Sequence, residues 1–221
     1  MPGMDAFHFP PPTPSDLGDR EVPRDGHALD GIRVALMVTG GIAAFRTPAL
    51  ARALRRQGAT VTAFCSEEAL RYVTADALEW STVQPVVTRL SAHAEHLSDS
   101  APFDAYLVAP ATAASIGRMA CGIAEGVIGA TMASAIGRME RGQARVLVAP
   151  TMHGSMHSSI LVENLERLHR VGVRVIPPRD AYGKHNLPED PVLVAEVCRA
   201  VGRPLPATAA NPARDGGVRR S

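Results

Sequence analysis

The sequence predicts an α/β fold, a single domain built on a doubly wound parallel sheet. Three observations carry that prediction. Short apolar runs at residues 33–38, 60–64, 105–109, 146–149 and 173–176 read as strands. Helical segments at 42–57, 113–120, 124–135, 158–170 and 191–201 separate them. Strands alternating with helices need crossover connections, and those make neighbouring strands parallel.

Residues 1–30 are rich in Pro, Asp and Gly around Pro10-Pro11-Pro12, so they read as a disordered N-terminal arm. The folded domain spans 31–203, opening with the strand at 33–38. Leu50, Ala53 and Leu54 mark the first helix, over 42–57, which stops at Gly58. Strand 60–64 is followed by a short helix at 67–72 and an irregular stretch from Trp80 to Ser100. The central strand, 105–109, is expected to end at Pro110, which has no N–H for the ladder. Residues 177–191 are long, polar and bounded by prolines, a surface loop or a clamp over a ligand. From 204 the composition again reads as a disordered tail.

With 221 residues and 46% hydrophobic content, the chain can bury a sizeable core. Aromatics make up only 4%, so that core is expected to be Val, Leu, Ile, Ala and Met. A formal charge of +1 argues against nucleic acid or an acidic membrane surface as partner. Cys65, Cys121 and Cys198 lack CxxC spacing, which suggests free thiols in a reducing compartment. No stretch has the length and apolarity of a membrane span or a signal peptide, so a cytoplasmic location is expected.

The chemistry concentrates at strand ends. After the central strand come Pro110-Ala111-Thr112-Ala113-Ala114-Ser115, small and hydroxyl residues that let a flat ligand approach the sheet edge. The first turn, Thr39-Gly40-Gly41-Ile42, presents backbone N–H groups at a helix start, where the dipole favours phosphate. It is not GxGxxG, and the second strand ends in Cys65-Ser66 rather than an acid. Both facts favour a mononucleotide over NAD. Ser66 either donates to a phosphate or caps the next helix. His93 and His96 are three apart, but no thiolate or carboxylate stands at ligand spacing, so no metal is expected.

These residues resemble the homo-oligomeric flavin-containing cysteine decarboxylases, a family that includes phosphopantothenoylcysteine decarboxylases and peptidyl-cysteine decarboxylases. Val38-Thr39-Gly40-Gly41-Ile42-Ala43-Ala44-Phe45 is similar to its first turn. Residues Pro110 to Ser115 resemble its PASANT block, and Pro150-Thr151-Met152-His153-Gly154-Ser155-Met156-His157 its PxMNxxMW block. His96, fourteen positions before Pro110, stands where the family places its active-site histidine. The resemblance covers about residues 32–201.

What the resemblance implies is a Rossmann-like flavoprotein subunit in trimers or multiples of trimers, with FMN at a subunit interface. Gly40, Gly41, Ile42 and Ser66 would serve the phosphate end. Pro110, Ala111, Thr112 and Ser115 would line the ring, with Met152 close by. Oxidation of a cysteine to a thioaldehyde creates the electron sink that loss of CO₂ requires, and an enethiol results. His96 would accept the proton or hold the carboxylate, and His153 would contact the carboxylate.

The departures bear on substrate. Ala114 and His153 replace two family Asn residues, and His157 replaces a Trp. Tyr182 stands where phosphopantothenoylcysteine decarboxylases carry a reducing Cys. Without that thiol the reaction is expected to stop at the enethiol, which favours a cysteine-ending precursor peptide as substrate. The alternatives are phosphopantothenoylcysteine decarboxylase of coenzyme A synthesis and an inactive flavin-binding regulatory subunit.

Overall fold

The computed structural model describes residues 9–97, 101–203 and 205. Its strands in chain order are β1 (Arg33–Val38), β2 (Thr60–Cys65), β3 (Ala105–Ala111), β4 (Arg145–Pro150), β5 (Met152–His153), β6 (Arg174–Val175), β7 (Arg179–Ala181) and β8 (Lys184–Asn186). The main sheet is parallel, in the order β2-β1-β3-β4-β6. A small antiparallel sheet, β5-β8-β7, sits beside it in the chain path.

Alternation along the strands sends side chains into two cores. Val34, Leu36, Leu107 and Leu147 face one side, where α1 (Thr47–Arg56), α2 (Ala75–Thr82) and α6 (Asp190–Ala200) cover them. Ala35, Met37, Val108 and Val148 face the other, under α3 (Ala113–Ala120), α4 (Gly126–Glu140) and α5 (Ser159–Arg170). All seven residues of β3 are buried, as a strand covered on both faces demands. No described helix is long and apolar enough to cross a membrane.

The winding has a consequence for the site. After β1 the chain passes to α1 on one face, and after the adjacent β3 it passes to α3 on the other. The sheet therefore has its topological switch point between the carboxyl ends of β1 and β3, where open α/β sheets accommodate ligands.

Several expectations need correction. β3 runs through Pro110 to Ala111, with a cis Ala109–Pro110 bond. The register with β4 shifts between Val108 and Ala111, so the missing N–H of Pro110 falls where the ladder is already interrupted. The 42–57 helix is divided into a 3₁₀ turn, Ile42–Arg46, and α1, whose first turn contains Pro48. The helix at 67–72 is a single 3₁₀ turn, Ala69–Arg71. Residues 75–82, given no element by the sequence reading up to Trp80 and read as irregular from there, form α2, capped by Thr74 Oγ1 accepting from Ala77 N–H at 3.1 Å. Residues 177–191 are not a plain loop, since they hold the β7–β8 hairpin. Nor is the core purely aliphatic. Phe103 meets Phe64 and Tyr106 edge-on, with ring centroids 5.7 and 5.6 Å away.

The arm differs from expectation as well. Leu29 is completely buried in the α1 core and Val22 is buried. Asp25 N–H donates to Arg56 O at 2.9 Å and Leu29 N–H to Gln57 O at 2.8 Å. The segment therefore satisfies the free carbonyls at the end of α1, which a composition-based reading does not anticipate. Residues 1–8 and the tail beyond Leu205 lie outside the described residues. We expect Leu29→Ala to cost about 2–5 kcal/mol in chemical denaturation, the range for emptying a buried leucine site; an unpacked arm would show no loss.

Candidate functional site at the switch point

A cleft of about 580 Å³ opens at the carboxyl edge of β1, β2 and β3. Gly40, Ser66, Thr112 and Ser115 line it, one from each of the first two strand ends and two from the turn into α3. Ala114 lines it as well, with a methyl group where the resemblance places a carboxamide.

A hydrogen-bond knot fixes the opening. Buried Thr39 donates from Oγ1 to Pro110 O at 2.7 Å and accepts from Thr112 N–H at 3.3 Å. Thr112 caps α3, its Oγ1 accepting from Ser115 N–H at 3.3 Å and lying 3.0 Å from Ser115 Oγ. Gly40 is required by close approach. A Cβ there would stand 2.4 Å from Glu68 Cβ and 3.2 Å from Glu68 backbone. Ser66 Oγ accepts from Ala69 N–H at 3.2 Å, so it does cap the following turn while its hydroxyl faces the cleft.

Other predicted site residues are placed differently. Gly41 packs near Thr112, 3.2 Å from where a Cβ would be to Thr112 Cγ2, and is not in the cleft wall. Ile42 is 69% exposed, while Pro110, Ala111 and Met152 are buried. His153 is exposed, and its Nδ1 accepts from Ser155 N–H at 3.1 Å. His96 does not line the cleft of its own chain. Its Nδ1 is buried and has no hydrogen-bond partner among the described residues.

The sequence reading missed most of the wall. Arg89 comes from the segment after β2, Arg118 from α3, and Glu125 to Gly129 from the start of α4. α4 has no side-chain cap, so its first amides are left without a side-chain acceptor in the turn that lines the cleft. Nothing local marks these residues, because a β2-to-β3 segment and two helices meet here only in the fold. Glu67, Glu68 and Glu125 outnumber the two arginines, so the cleft has no net positive charge. An anion here depends on directed donors.

The loop that carries His96 is tied by Glu95. Its carboxylate accepts from Ser91 Oγ at 2.5 Å and from Ser91 N–H at 3.0 Å. The Ser91 hydroxyl bond, above all, lowers the Glu95 carboxyl from 4.5 to about 2. Next to Ser66 in sequence, burial in the α1-side core pushes the Cys65 thiol up to about 11, which keeps it protonated and unreactive.

The comparisons with known proteins agree with this geometry. A model described as Flavoprotein matches residues 24–202. The chain belongs to the flavoprotein family. It is 35% identical over 176 residues to the coenzyme A biosynthesis bifunctional protein CoaBC of Thermococcus kodakarensis, covering 77% of this chain and 42% of that relative. It thus spans less than half the length of that protein. The crystal structure of the FMN-dependent cysteine decarboxylase SpaF superposes with a TM-score of 0.68 at 22% identity, covering 83% of this chain and 99% of that one. That of TvaF, the FMN-dependent cysteine decarboxylase from thioviridamide biosynthesis, gives 0.59 at 25% identity, covering 66% and 90%.

The residues present fit a flavin. The cleft volume lies in the range of cofactor sites, and its donors are hydroxyls, two guanidiniums and the amide end of α4. We expect Gly40→Ala to lower retention of the visible flavin absorbance at least about tenfold while the protein stays folded, because the turn must move away from Glu68. Removing the hydroxyl in Ser91→Ala should raise the Glu95 carboxyl toward its ordinary value. A depressed carboxylate stabilises above the unfolded value and loses that contribution as pH falls toward the folded one. NMR titration of Glu95 in the two proteins checks the shift: its loop stabilisation, present above 4.5 in the parent, fades between 4.5 and about 2.

Proposed function

We propose that the chain is an FMN-dependent cysteine decarboxylase that oxidises the C-terminal cysteine of a precursor peptide and releases CO₂ to leave an enethiol. The observation that supports it most is the cleft itself. It lies at the switch point of a flavoprotein sheet, and small and hydroxyl residues, Gly40, Ser66, Thr112, Ala114 and Ser115, line it beside the end of β2. Bound flavin supplies the two-electron acceptor for the cysteine carbon next to sulfur.

The chain's own residues do the remaining work. Gly40, Ser66, Arg89 and the α4 amides hold the anionic part of the cofactor by directed bonds. Thr112 and Ser115, tied to Thr39, would line the ring when the cofactor is bound. Arg118, exposed on the cleft wall, faces the substrate carboxylate. His96 accepts the substrate proton, and we assign it to the cleft of a neighbouring subunit, since it does not reach its own. Ile42 and Phe45, 69% and 61% exposed beside the first turn, give that contact an apolar surface in a trimer or multiple of trimers.

A second reading, phosphopantothenoylcysteine decarboxylase, is favoured by the 35% identity to CoaBC. Tyr182 argues for the peptide: it is 92% exposed at a hairpin tip, so no thiol is offered where the resemblance places one.

Mass analysis of the product separates the two. A cysteine-ending peptide is expected to lose about 46 mass units, CO₂ and two hydrogens, whereas phosphopantothenoylcysteine would lose about 44. If neither is converted by protein that carries flavin, the decarboxylase reading fails. His96→Ala should slow turnover by about 10²–10⁴ with flavin still bound, the usual contribution of an acid–base group; full turnover would remove its role.

A further inference from the structure

Away from the cleft, three titratable side chains form a continuous chain. His185 Nδ1 lies 2.6 Å from Asp180 Oδ1, and His185 Nε2 lies 3.0 Å from His157 Nδ1. The two rings are tilted by 52° with centroids 5.2 Å apart. Asp180 and His185 are directly opposite each other on β7 and β8, and His185 is opposite Met152 of β5. His157 belongs to neither strand. It closes the 3₁₀ turn Gly154–Met156, so its bond to His185 ties the hairpin to a separate segment.

Beyond its backbone ladder and the Arg46 and Leu187 anchor at its exit, the hairpin itself is mostly exposed. Arg179, Asp180, Tyr182, Gly183 and Lys184 are all exposed, and β5 contributes only two residues to the ladder. Gly154 N–H donates to Gly183 O at 3.0 Å, and the turn residues Tyr182 and Gly183 have φ of 55° and 66°. Its position therefore depends on hydrogen bonds more than on apolar burial.

The proton count in this chain is constrained. Asp180 accepts, so His185 carries its proton on Nδ1. The facing pair, His185 Nε2 and His157 Nδ1, then needs one proton between them, donated by one ring and accepted by the other. Charging one imidazole keeps this pattern, with Asp180 as counterion. Charging both puts N–H against N–H at 3.0 Å and adds like-charge repulsion, which removes the bond. The other charged group lining the same depression is Lys184, which disfavours a second positive charge further. His153, on β5, directs its Nδ1 to Ser155 instead. Arg179, on β7, pairs with Glu189 at 3.2 Å.

We infer that Asp180, His185 and His157 form a proton-sharing latch that positions the β7–β8 hairpin against the Gly154–Met156 turn and releases it when both imidazoles are charged. These are positioning residues, and the latch belongs to the hairpin whatever reaction the cleft performs. A substrate lying between hairpin and turn would meet a held hairpin at neutral pH and a loose one in acid.

Backbone amide exchange by mass spectrometry, on the full-length flavin-loaded protein and corrected for intrinsic rates, tests this at about pH 7.5 and about pH 5. Protection over residues 179–186 should fall about tenfold or more in acid, while protection in β3 stays constant. His157→Phe should be unprotected at both pH values. His157→Asn, whose amide stands near the position of Nδ1 and can either donate or accept, should be protected at both. A His157→Phe protein with the parent's protection and pH response would overturn the latch. So would a parent hairpin indifferent to pH, or an acid loss in β3 as large as that in the hairpin.

Discussion

The hydroxyl of Thr39 bonded to the carbonyl of Pro110 is the contact on which the site depends. β1 and β3 run side by side and then leave the sheet toward opposite faces. Something must keep their ends together as the helices pull apart, and a buried hydroxyl spanning 2.7 Å to a strand carbonyl does so. A buried bond of this kind contributes roughly 1 kcal/mol net, but breaking one side leaves a desolvated carbonyl and costs more. The same oxygen receives Thr112 N–H, so the start of α3 is placed by the end of β1. The cleft is the space this arrangement leaves open.

Small residues make that arrangement possible. Gly40 passes within contact of Glu68, Gly41 of Thr112, and the base of the cleft is Ala and Thr rather than larger side chains. The bulk is placed within the sheet's second core, where Phe103 meets Phe64 and Tyr106 edge to face and Arg33 lies over the Phe103 ring, 4.8 Å from its centroid. Arg46 ties the two ends of the chain path together. From the turn after β1 it donates to Leu187 O at 3.0 Å and pairs with Glu189 and Asp190 at 3.0 and 3.1 Å. Burial raises the Asp190 carboxyl, and Arg46 opposes that shift. The first turn and the hairpin's return to α6 are thus held by one guanidinium.

Legibility in the sequence follows the range of the interaction that decides each feature. The parallel strands were readable because burial on both faces leaves an unbroken apolar run, and α3 starts and ends where its residues say. The α2 helix was not, because its signal is one capping threonine followed by eight residues of weak periodicity. The course of β3 past Pro110 depends on its partner strand, since only a register shift makes the missing N–H harmless. Within the site, Gly40, Ser66, Thr112 and Ser115 carry a local signature, glycine or hydroxyl within four residues of a strand end. Arg89, Arg118 and the start of α4 carry none. The arm misled for a related reason: its composition is that of a linker, yet a single leucine, Leu29, reaches the core and a few carbonyls at the end of α1 need donors.

The two lost carboxamides can be followed through the geometry. At Ala114 the cleft wall presents a methyl group, but Arg118 is four residues later on α3, on the same helix face, and lines the same cleft. A guanidinium offers more donors than an amide and carries the charge that a carboxylate seeks. The wall therefore carries a charged donor one turn along the helix from the methyl group. At His153 the outcome differs. Its Nδ1 is occupied by the amide of Ser155, as a side-chain cap on the turn, so the imidazole serves the backbone first and presents only Nε2 outward. What it gives up as a contact it returns as order in the turn that ends at His157, and that turn is where the hairpin is tied. The two positions thus differ: beside Ala114 the charged donor of α3 is Arg118, one turn on, whereas His153 caps the turn after β5, which becomes a fixed point for the second sheet.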